Sequence, residues 1–489
     1  MKVAWTIAAS DSSSGAGIQA DLATFAHFKV HGCSIITKVT AQNTKEITHS
    51  YELSDKIFNQ QINALNVDLK AHAIKISVLG NMQLNKLVDF LKTYSGYLVY
   101  DPIFLSSSNT ILTNLQLIEA ICQKLLPHIT LITPNIQEVE LLTNIKIKNY
   151  KDIIKAAKKI LQLGVQNVLI KGGHFISEYA SDFFINTQQS FWLVSKRQVF
   201  STDIHGTGCR LSSAIAANLA LGNNITEAVI IAKRYLNSAF RVCNLPVIQA
   251  KQHYIPQFSF NYNHKDMPII VNDYSKINKS FSLKFLACES IGLYPIVDSS
   301  IWVASLANTG IKTIQLRIKN ADIKYIEEEI IKSIEIANSY KIKIFINDYW
   351  DLAIKHKAYG VHLGQEDLLL ADIQKINIAG LRLGLSTHNY YELALAIGLQ
   401  PSYIALGPIF PTKSKVMPFL AQGLNKLMEW QQMLDNKCQL VAIGGININN
   451  IKEIINLGIK NIALISAITN AKNPLFMTKN LLKKLNNYE

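Results

Sequence analysis

The sequence has no apolar run of about 18 residues, the length that a helix needs to cross a bilayer, so we expect no membrane span. Its six cysteines are scattered without a Cys-x-x-Cys pair, which favours a reducing compartment over a disulfide framework or a zinc site. The apolar stretch in MKVAWTIAAS is too short for a typical secretory signal. We therefore expect a cytoplasmic protein.

Acidic residues are fewer than basic ones, 35 against 49, and the formal net charge is +14. The lysines and arginines are spread along the chain without dense runs, so we expect no nucleic-acid partner. Small anionic substrates such as phosphates account for this charge equally well. Nothing in the sequence specifies an oligomeric state, which leaves a homo-oligomer through either domain open.

Up to about residue 250, strand-like runs alternate with helical patterns, which predicts an α/β domain with a mostly parallel sheet. The candidate strands are VAWTIAAS, CSIITKVT, AIKIS, YLVYDP, ITLITPN and NVLIKGG. Residues 251–288 are rich in Asn, Lys, Tyr and Pro and lack a sustained period, so we predict a linker there. The alternative is that the early part of this segment extends the first domain.

Residues 289–489 contain a second series of apolar runs, separated by helix-compatible segments. The runs are GLYPIVD, KTIQLRI, IKIFIN, YGVHL, LRLGLS, YIALG, LVAIGG and NIALIS. Eight such units in roughly 200 residues predict a small (β/α)₈ barrel, in which the chemistry lies just after the strands.

In the first half, HGTGCR precedes a long apolar helix, and its glycines Gly206 and Gly208 would let a phosphate approach the helix N-terminus. An ordinary glycine-rich turn is the alternative. TPNIQEVE places Asn135 and Glu138 three apart, where both could hold a Mg²⁺-bound phosphate. KGGH offers Lys171 as a cation. Because G-x-x-x-x-G-K-[ST] is absent, any ATP site is not a P-loop, and together these features favour phosphoryl transfer.

The motifs TIAASDSSSGAGIQADLATF, VTAQNT, LITPN, KGGH and HGTGC resemble the hydroxymethylpyrimidine/phosphomethylpyrimidine kinases of thiamine biosynthesis. That resemblance implies a ribokinase-like fold over residues 1–250 and two successive ATP-dependent phosphorylations. It also implies that Gln42 binds the pyrimidine with Asp21 near it. Gly206, Gly208 and the Cys209 N–H would then form an anion hole.

Three roles are open for Cys209. A thiol at a helix N-terminus can have a lowered pKa and act as a general base, or it can be a small group that leaves room for the phosphate acceptor. The third alternative is a buried, inert cysteine. The loop at residues 9–14 and the segment at 104–109 depart from the family pattern. These departures leave an alternative in which the kinase-like half only binds pyrimidine and the second half alone is active.

In the second half, Gln315, Arg317 and Lys319 alternate in QLRIK, so their side chains can point the same way and suit a multiply charged anion. Asp348 and Asp367 follow neighbouring strands and can share one Mg²⁺. PTKSK supplies hydroxyls and lysines. IGGI and LISAI follow the seventh and eighth strands, the usual phosphate site of such barrels.

LYPIVD, QLRIK, INDYWDLA, GVHLGQEDL, LGPIFPTKSK and ISAI resemble thiamine-phosphate synthases. The resemblance implies coupling of hydroxymethylpyrimidine pyrophosphate with thiazole phosphate and release of pyrophosphate. The implied pyrophosphate ligands are Arg317, Lys319, Asn347, Ser386 and Lys415, with Mg²⁺ on Asp348 and Asp367. The pyrimidine would be lined by Gln315 and His362. The thiazole phosphate would be held by Thr412, Ser414, Gly445, Ile465 and Ser466. The two resemblances support each other, because the product implied for the first half is the substrate implied for the second.

Overall fold

The computed structural model describes residues 1–43, 46–104, 113–173, 178–198, 203–242, 252–254, 262–277, 283–412, 420–434 and 437–486. The chain divides into two compact units, one of Met1–Asn261 with Lys265–Ile277 and one of Tyr262–His264 with Asn278–Glu489.

The first unit is built on a ten-stranded sheet. Its strands are β1 (Val3–Asp11), β2 (His31–Gln42), β3 (Ile47–Glu52), β4 (Ala73–Ile76), β5 (Tyr97–Tyr100), β6 (Leu131–Ile132), β7 (Asn167–Ile170), β8 (Tyr179–Ile185), β9 (Ser190–Lys196) and β12 (Ile269–Val271). Their order is β12-β9-β8-β7-β6-β5-β4-β1-β2-β3. A separate two-stranded sheet pairs β10 (Asp203–His205) with β11 (Gln252–Tyr254).

The six strands that the apolar runs predict are confirmed as β1, β2 and β4 to β7. All five pairings among them are parallel. The four remaining strands of the sheet lie at its two ends, and each pairs antiparallel with its neighbour. The sequence analysis did not select these four strands, of which β12 and β3 form the edges of the sheet.

Helices cover the sheet of the first unit. They are α1 (Gly17–His27), α2 (Asp55–Asp68), α3 (Asn81–Leu91), α4 (Leu115–Ala120), α5 (Ile136–Thr143), α6 (Tyr150–Leu161), α7 (Thr207–Ala220) and α8 (Ile225–Val242). A π-helical turn at Ile121–Leu125 and 3₁₀ turns at Leu126–His128, His264–Asp266 and Tyr274–Lys276 complete the list. From Cys209 to Ala220 every residue of α7 is buried. Its small side chains let it pack closely against α1, α8 and the strands β1, β4 and β5.

Part of the segment predicted as a linker belongs to the first unit. Strand β12 pairs with Trp192–Val194 of β9. Asp266 accepts an ion-paired hydrogen bond of 2.8 Å from Arg241, and its carbonyl accepts one of 2.8 Å from Asn237. Three apolar residues among polar ones give too weak a strand signal, and the pairing depends on an edge that only the folded sheet provides.

The second unit is a closed parallel barrel, and all eight predicted strands are confirmed. They are β13 (Leu293–Val297), β14 (Thr313–Leu316), β15 (Lys343–Asn347), β16 (Gly360–Leu363), β17 (Arg382–Thr387), β18 (Tyr403–Leu406), β19 (Gln439–Ile443) and β20 (Ile462–Leu464). The helices are α9 (Ser300–Ala307), α10 (Ile323–Ser339), α11 (Trp350–Lys355), α12 (Gln365–Leu370), α13 (Ile373–Ile378), α14 (Tyr390–Leu399), α15 (Gly423–Leu434), α16 (Ile451–Ile455), α17 (Ser466–Thr469) and α18 (Pro474–Asn486).

Aromatic residues fill part of the barrel interior. Tyr294, Phe345 and Tyr403 belong to one buried cluster. Gly384 makes room for the Tyr403 ring, since a Cβ at that position would lie 2.1 Å from the ring's Cζ. In the part of the chain that is described, no helix has both the length and the apolar character needed to span a bilayer.

Candidate active sites

The start of α7 is in backbone contact with the glycine/serine loop that follows β1. Gly206 precedes the helix with φ +76°, and a Cβ there would lie 1.9 Å from the Gly15 carbonyl oxygen. Only glycine fits both the left-handed backbone and the close approach. Asp11 organises the loop, since its carboxylate accepts hydrogen bonds from the Ser13 and Ala16 N–H groups at 2.8 and 2.9 Å. The HGTGCR motif and the DSSSGAG loop therefore meet in the fold.

A cluster of charges lies beside the start of α7. Lys171 Nζ donates to Asp101 Oδ1 at 2.8 Å and lies 4.0 Å from Glu138 Oε2. A Cβ on Gly208 would lie 3.1 Å from the same Nζ. Burial alone would lower the pKa of Lys171, but the negative charges of Asp101 and Glu138 outweigh it and raise that pKa. Lys171 is therefore a fixed cation next to the glycine-rich helix start.

Asn135 and Glu138 are brought next to Lys171, and they also cap α5 reciprocally. Asn135 Oδ1 accepts from the Glu138 N–H at 2.9 Å, and Glu138 Oε2 accepts from the Asn135 N–H at 2.6 Å. The Lys171 N–H donates to the Pro134 carbonyl at 2.8 Å. Burial raises the pKa of Glu138 to about 7, with Asp101 adding to this and Lys171 opposing it. Its carboxyl group is thus balanced between protonated and charged forms near neutral pH.

The environment of Cys209 differs from that of an activated thiol. The side chain is buried at the first turn of α7, and burial raises its pKa to about 11. The charge of Lys75 opposes this rise, while Asp21 and Asp101 add to it. The lowered pKa that a helix N-terminus favours is outweighed by loss of solvent. This environment favours a neutral thiol at Cys209 over a general base.

Asp21 was predicted near the pyrimidine, but its side chain is fully buried and its oxygens are bonded within the fold. Oδ2 accepts from Thr6 Oγ1 at 2.5 Å and from Lys75 Nζ at 2.9 Å, and Oδ1 accepts from Ser213 Oγ at 2.6 Å. The Lys75 side chain is also 0% exposed. This geometry makes Asp21 the counter-charge of a buried lysine.

Gln42 lies at the end of β2 and is partly exposed. Its N–H donates to Ser12 Oγ at 2.8 Å, and the same hydroxyl donates to the Gln42 carbonyl at 2.8 Å. These bonds place Gln42 beside the glycine/serine loop, where a substrate at that loop could reach it.

In the barrel, Asp348 and Asp367 follow the neighbouring strands β15 and β16 and contact each other. Lys319 forms an ion pair with Asp348 Oδ2. Burial raises the pKa of Asp367, and a hydrogen bond to Asp348 and the charge of that residue raise it further, with Lys319 opposing. Two carboxylates forced together in this way are a donor set that a divalent cation would stabilise. The described residues contain no group of three or more metal-ligating side chains, and Mg²⁺ usually takes one or two carboxylates plus substrate phosphates. The pair therefore fits Mg²⁺.

Gln315 and His362 are both buried in the barrel interior. His362 Nε2 lies 2.8 Å from Ser386 Oγ, and its Nδ1 lies 2.7 Å from the Tyr403 hydroxyl. Gln315 Nε2 donates to the Tyr294 hydroxyl at 3.1 Å. The structure thus brings three predicted substrate residues together and adds two tyrosines that the sequence analysis did not select.

His362 is neutral at physiological pH. Burial lowers its pKa to about 4; the positive charge of Arg317 contributes, and the negative charge of Asp348 opposes the shift. Arg317 and Asp348 are therefore close enough to His362 to affect its protonation. Asn347 is buried and is the register partner of His362 in the β15–β16 pairing. The predicted pyrimidine and pyrophosphate residues thus lie in one region.

Of the predicted thiazole-phosphate residues, Gly445 follows β19, and Ile465 and Ser466 follow β20, its neighbour in the barrel, whereas Thr412 follows β18. Gly445 has φ +70°, and a Cβ there would lie 2.5 Å from the Phe410 carbonyl oxygen. Ser466 begins the short helix α17, and Ile465 just before it is 37% exposed. Thr412 is half-buried. The predictions for Ser414 and Lys415 lie outside the described residues.

Four residues of these sites were missed in the sequence, namely Lys75, Asp101, Tyr294 and Tyr403. Asp101 had a usable signal, because it directly follows the predicted strand YLVYDP, as catalytic residues of parallel sheets often do. Lys75 interrupts the apolar run AIKI, which marks a charged residue with a buried partner. The two tyrosines lie in apolar strands and give no comparable signal.

Comparison with known proteins agrees with both resemblances. The model of the family described as phosphomethylpyrimidine kinase matches residues 11–254, and that of thiamine monophosphate synthase matches residues 293–468. The thiamine-phosphate synthase of Yersinia pestis (strain Pestoides F) is 50% identical over 194 residues, which cover 40% of this chain and 90% of that protein. The corresponding protein of Photorhabdus laumondii is 51% identical over 194 residues, or 39% of this chain and 88% of that protein.

Among solved structures, the phosphomethylpyrimidine kinase from Clostridium difficile 630 has 41% identity and a TM-score of 0.44, covering 49% of this chain and 99% of that chain. The pyridoxal kinase from Staphylococcus aureus in complex with AMP-PCP has 31% identity and a TM-score of 0.46, covering 49% of this chain and 88% of that chain. By the family models and the curated relatives, the chain belongs to the thiamine-phosphate synthase family through its barrel and carries a phosphomethylpyrimidine kinase domain before it, so that it is a bifunctional enzyme of thiamine biosynthesis.

Proposed function

We propose that the first unit transfers phosphoryl groups from ATP to hydroxymethylpyrimidine and then to its monophosphate. The barrel couples the resulting pyrophosphate with thiazole phosphate, giving thiamine phosphate and free pyrophosphate. One observation carries the proposal: in each unit a lysine and two carboxylates lie together just after parallel strands, at Lys171 and at Lys319. Such clusters suit Mg²⁺-bound phosphates, which both reactions use.

In the kinase unit, Lys171 and the backbone at Gly208 would hold the transferred phosphoryl group. Glu138 and Asp101 would hold Mg²⁺, which supplies charge neutralisation to the phosphates when it is bound. Phosphoryl transfer passes through a loose transition state, so positioning and charge neutralisation provide most of the catalysis. A neutral thiol at Cys209 is compatible with this, because such a transition state places little demand on a general base.

In the barrel, pyrophosphate leaves and a cation develops on the aminopyrimidine. Arg317 and Lys319 would stabilise the leaving group electrostatically, with Asp348 and Asp367 holding the Mg²⁺ that neutralises its charge. The neutral state of His362 has a direct use here, since an imidazolium at this position would repel the developing pyrimidine cation. Gly445 and the start of α17 would bind the second phosphorylated substrate.

The test is a product assay on the full-length protein. Hydroxymethylpyrimidine, ATP, Mg²⁺ and thiazole phosphate are supplied, and thiamine phosphate is followed by chromatography. We expect thiamine phosphate from the native protein. The Lys171→Met variant should form no thiamine phosphate from these substrates. It should form thiamine phosphate when pyrimidine pyrophosphate is supplied directly. Arg317→Met should instead accumulate pyrimidine pyrophosphate.

Each variant controls for the other, because each leaves the opposite unit unchanged. Absence of both products with the native protein would refute the kinase assignment. Accumulation of pyrimidine pyrophosphate without thiamine phosphate would refute the synthase assignment.

A further inference from the structure

We propose that Tyr294 and Tyr403 are positioning residues that form a directed hydrogen-bond relay inside the barrel, fixing the tautomer of His362 and linking Gln315 to Ser386. The substrates assigned to the two ends of the relay rest on the proposed function. The relay itself does not.

The relay is a continuous series of short contacts. Gln315 Nε2 lies 3.1 Å from the Tyr294 hydroxyl, which lies 2.9 Å from the Tyr403 hydroxyl. That oxygen lies 2.7 Å from His362 Nδ1, and His362 Nε2 lies 2.8 Å from Ser386 Oγ. Because the first four residues of the series are all buried, their polar groups must satisfy one another.

The amide of Gln315 sets the direction of every bond. An N–H group can only donate, so the Tyr294 oxygen accepts from it, and the Tyr403 oxygen, which also interacts with the Gln315 amide, is the buried partner for the Tyr294 proton. The opposite direction would make Tyr294 accept from both neighbours and leave its own proton unpaired. The Tyr403 proton then goes to His362 Nδ1. A neutral imidazole that accepts at Nδ1 carries its proton on Nε2, where it donates to Ser386 Oγ. The hydroxyl proton of Ser386 is thereby left to donate into the site.

Turning the Gln315 amide over would reverse the whole series. Its carbonyl oxygen would accept from Tyr294, His362 would carry its proton on Nδ1, and Ser386 would donate to Nε2. A mixed arrangement leaves a buried group without a partner, which is costly. The relay therefore has two states. In the one described, the Gln315 oxygen can accept from an amino group of the pyrimidine, and Ser386 can donate to an anion.

Packing holds the two phenols in place. The rings of Tyr294 and Tyr403 meet Phe345 edge to face, at interplanar angles of 66° and 88°. The His362 ring is stacked with Tyr403 at 18°. Gly384 admits the Tyr403 ring, as described above. A network with fixed rings is preorganised, so that binding at one end can be transmitted to the other.

The first test reads the tautomer directly. Full-length protein is labelled with ¹⁵N-histidine, and the His362 signals are assigned by their loss in His362→Gln. We expect the Nε2–H tautomer at neutral pH. Gln315→Glu should convert it to Nδ1–H, since a carboxylate at the Tyr294 end can only accept. A native Nδ1–H tautomer, or an unchanged pattern in Gln315→Glu, would overturn the proposal.

Tyr403→Phe removes the hydroxyl that holds Nδ1 as an acceptor, so the His362 signals should move to values averaged over both tautomers. The matched control is Tyr390→Phe, which loses a hydroxyl hydrogen bond to Glu429 in the same unit. It should leave the His362 pattern unchanged. An unshifted pattern in Tyr403→Phe would count against the relay.

Kinetics supply the second test, with pyrimidine pyrophosphate and thiazole phosphate as substrates. Tyr403→Phe should lower kcat about tenfold, because Ser386 is no longer oriented toward the leaving group. Ser386→Ala added to that variant should cost little more, whereas fully additive losses would contradict a shared relay. A native Nε2–H tautomer in a protein without synthase activity would refute the proposed function and leave the relay standing.

Discussion

The buried pair of Lys75 and Asp21 gives a prediction whose size follows from the structure. Replacing Lys75 with methionine removes the ammonium 2.9 Å from Asp21 Oδ2 and leaves the carboxylate fully buried. Thr6 and Ser213 would still donate to it. Breaking a buried ion pair in this way costs about 3–5 kcal/mol, mostly as the penalty of the remaining charge.

Calorimetry of the full-length protein would measure this cost. For a domain of this size, 1 kcal/mol lowers the unfolding midpoint by about 2–4 °C, so Lys75→Met should lower the kinase transition by about 6–20 °C. The barrel transition should not move and serves as the internal control. Adding Asp21→Asn removes the stranded charge and should restore most of the loss.

Two results would refute this reasoning. One is a Lys75→Met protein whose kinase transition is unchanged. The other is a double variant no more stable than Lys75→Met alone, because the loss would then not come from an unpaired carboxylate. Separately, Asp21→Asn could leave the unfolding midpoint unchanged and raise the KM for hydroxymethylpyrimidine. That result would support the substrate contact predicted from the sequence.

Four further outcomes are expected. Cys209→Ser should retain kinase turnover within about tenfold, because a thiol whose pKa is about 11 is neutral at physiological pH, whereas a steady-state loss of about 10²–10⁴-fold would indicate a general base. The kinase kcat/KM, which reports groups of the free enzyme, should rise with pH through about 7 as Glu138 becomes the charged carboxylate, and Glu138→Gln should flatten that limb of the profile. The unfolded chain binds a proton at His362 between pH 6.5 and about 4 while the folded barrel does not, so barrel stability should decrease as the pH is lowered through that window. His362→Gln should reduce the slope of the barrel's thermal midpoint against pH. Asp367→Asn should raise the Mg²⁺ concentration for half-maximal synthase activity by about tenfold, and an unchanged Mg²⁺ titration would remove Asp367 from the metal site.

The architecture of both units followed from apolar periodicity. Central strands of a parallel sheet are continuous apolar runs, so β1, β4 and β5 were visible, as were the eight barrel strands. The edge strand β12 was not, because it has only three residues and depends on a neighbour that exists only in the folded chain. Strands β8 and β9 were not selected either, although most of their residues are buried. Motif residues such as Gly206 and Lys171 were found because their chemistry is local in sequence.

The residues that were missed act through partners far away in the chain. Lys75 gains its role from Asp21, and Tyr403 gains its role from His362, at separations of 54 and 41 residues. The raised pKa of Cys209 also depends on parts of the chain that are distant in sequence. A helix start can be identified in the sequence, but the complete desolvation that packing produces cannot. Spacing motifs predict which groups are present, while burial decides in which protonation state they act.

The contact between Asp21 and Ser213 joins positions 192 residues apart. At a synthesis rate of about 5–20 residues per second, a ribosome takes roughly 10–40 s to travel that distance. During this interval β1 and α1 have been synthesised, but the Ser213 hydroxyl that donates to Asp21 is still missing. Gly15 likewise lacks its contact with Gly206. The kinase unit therefore cannot close while its early half emerges, and a nascent chain that stalls before α7 presents an unfinished hydrophobic sheet to chaperones and proteases.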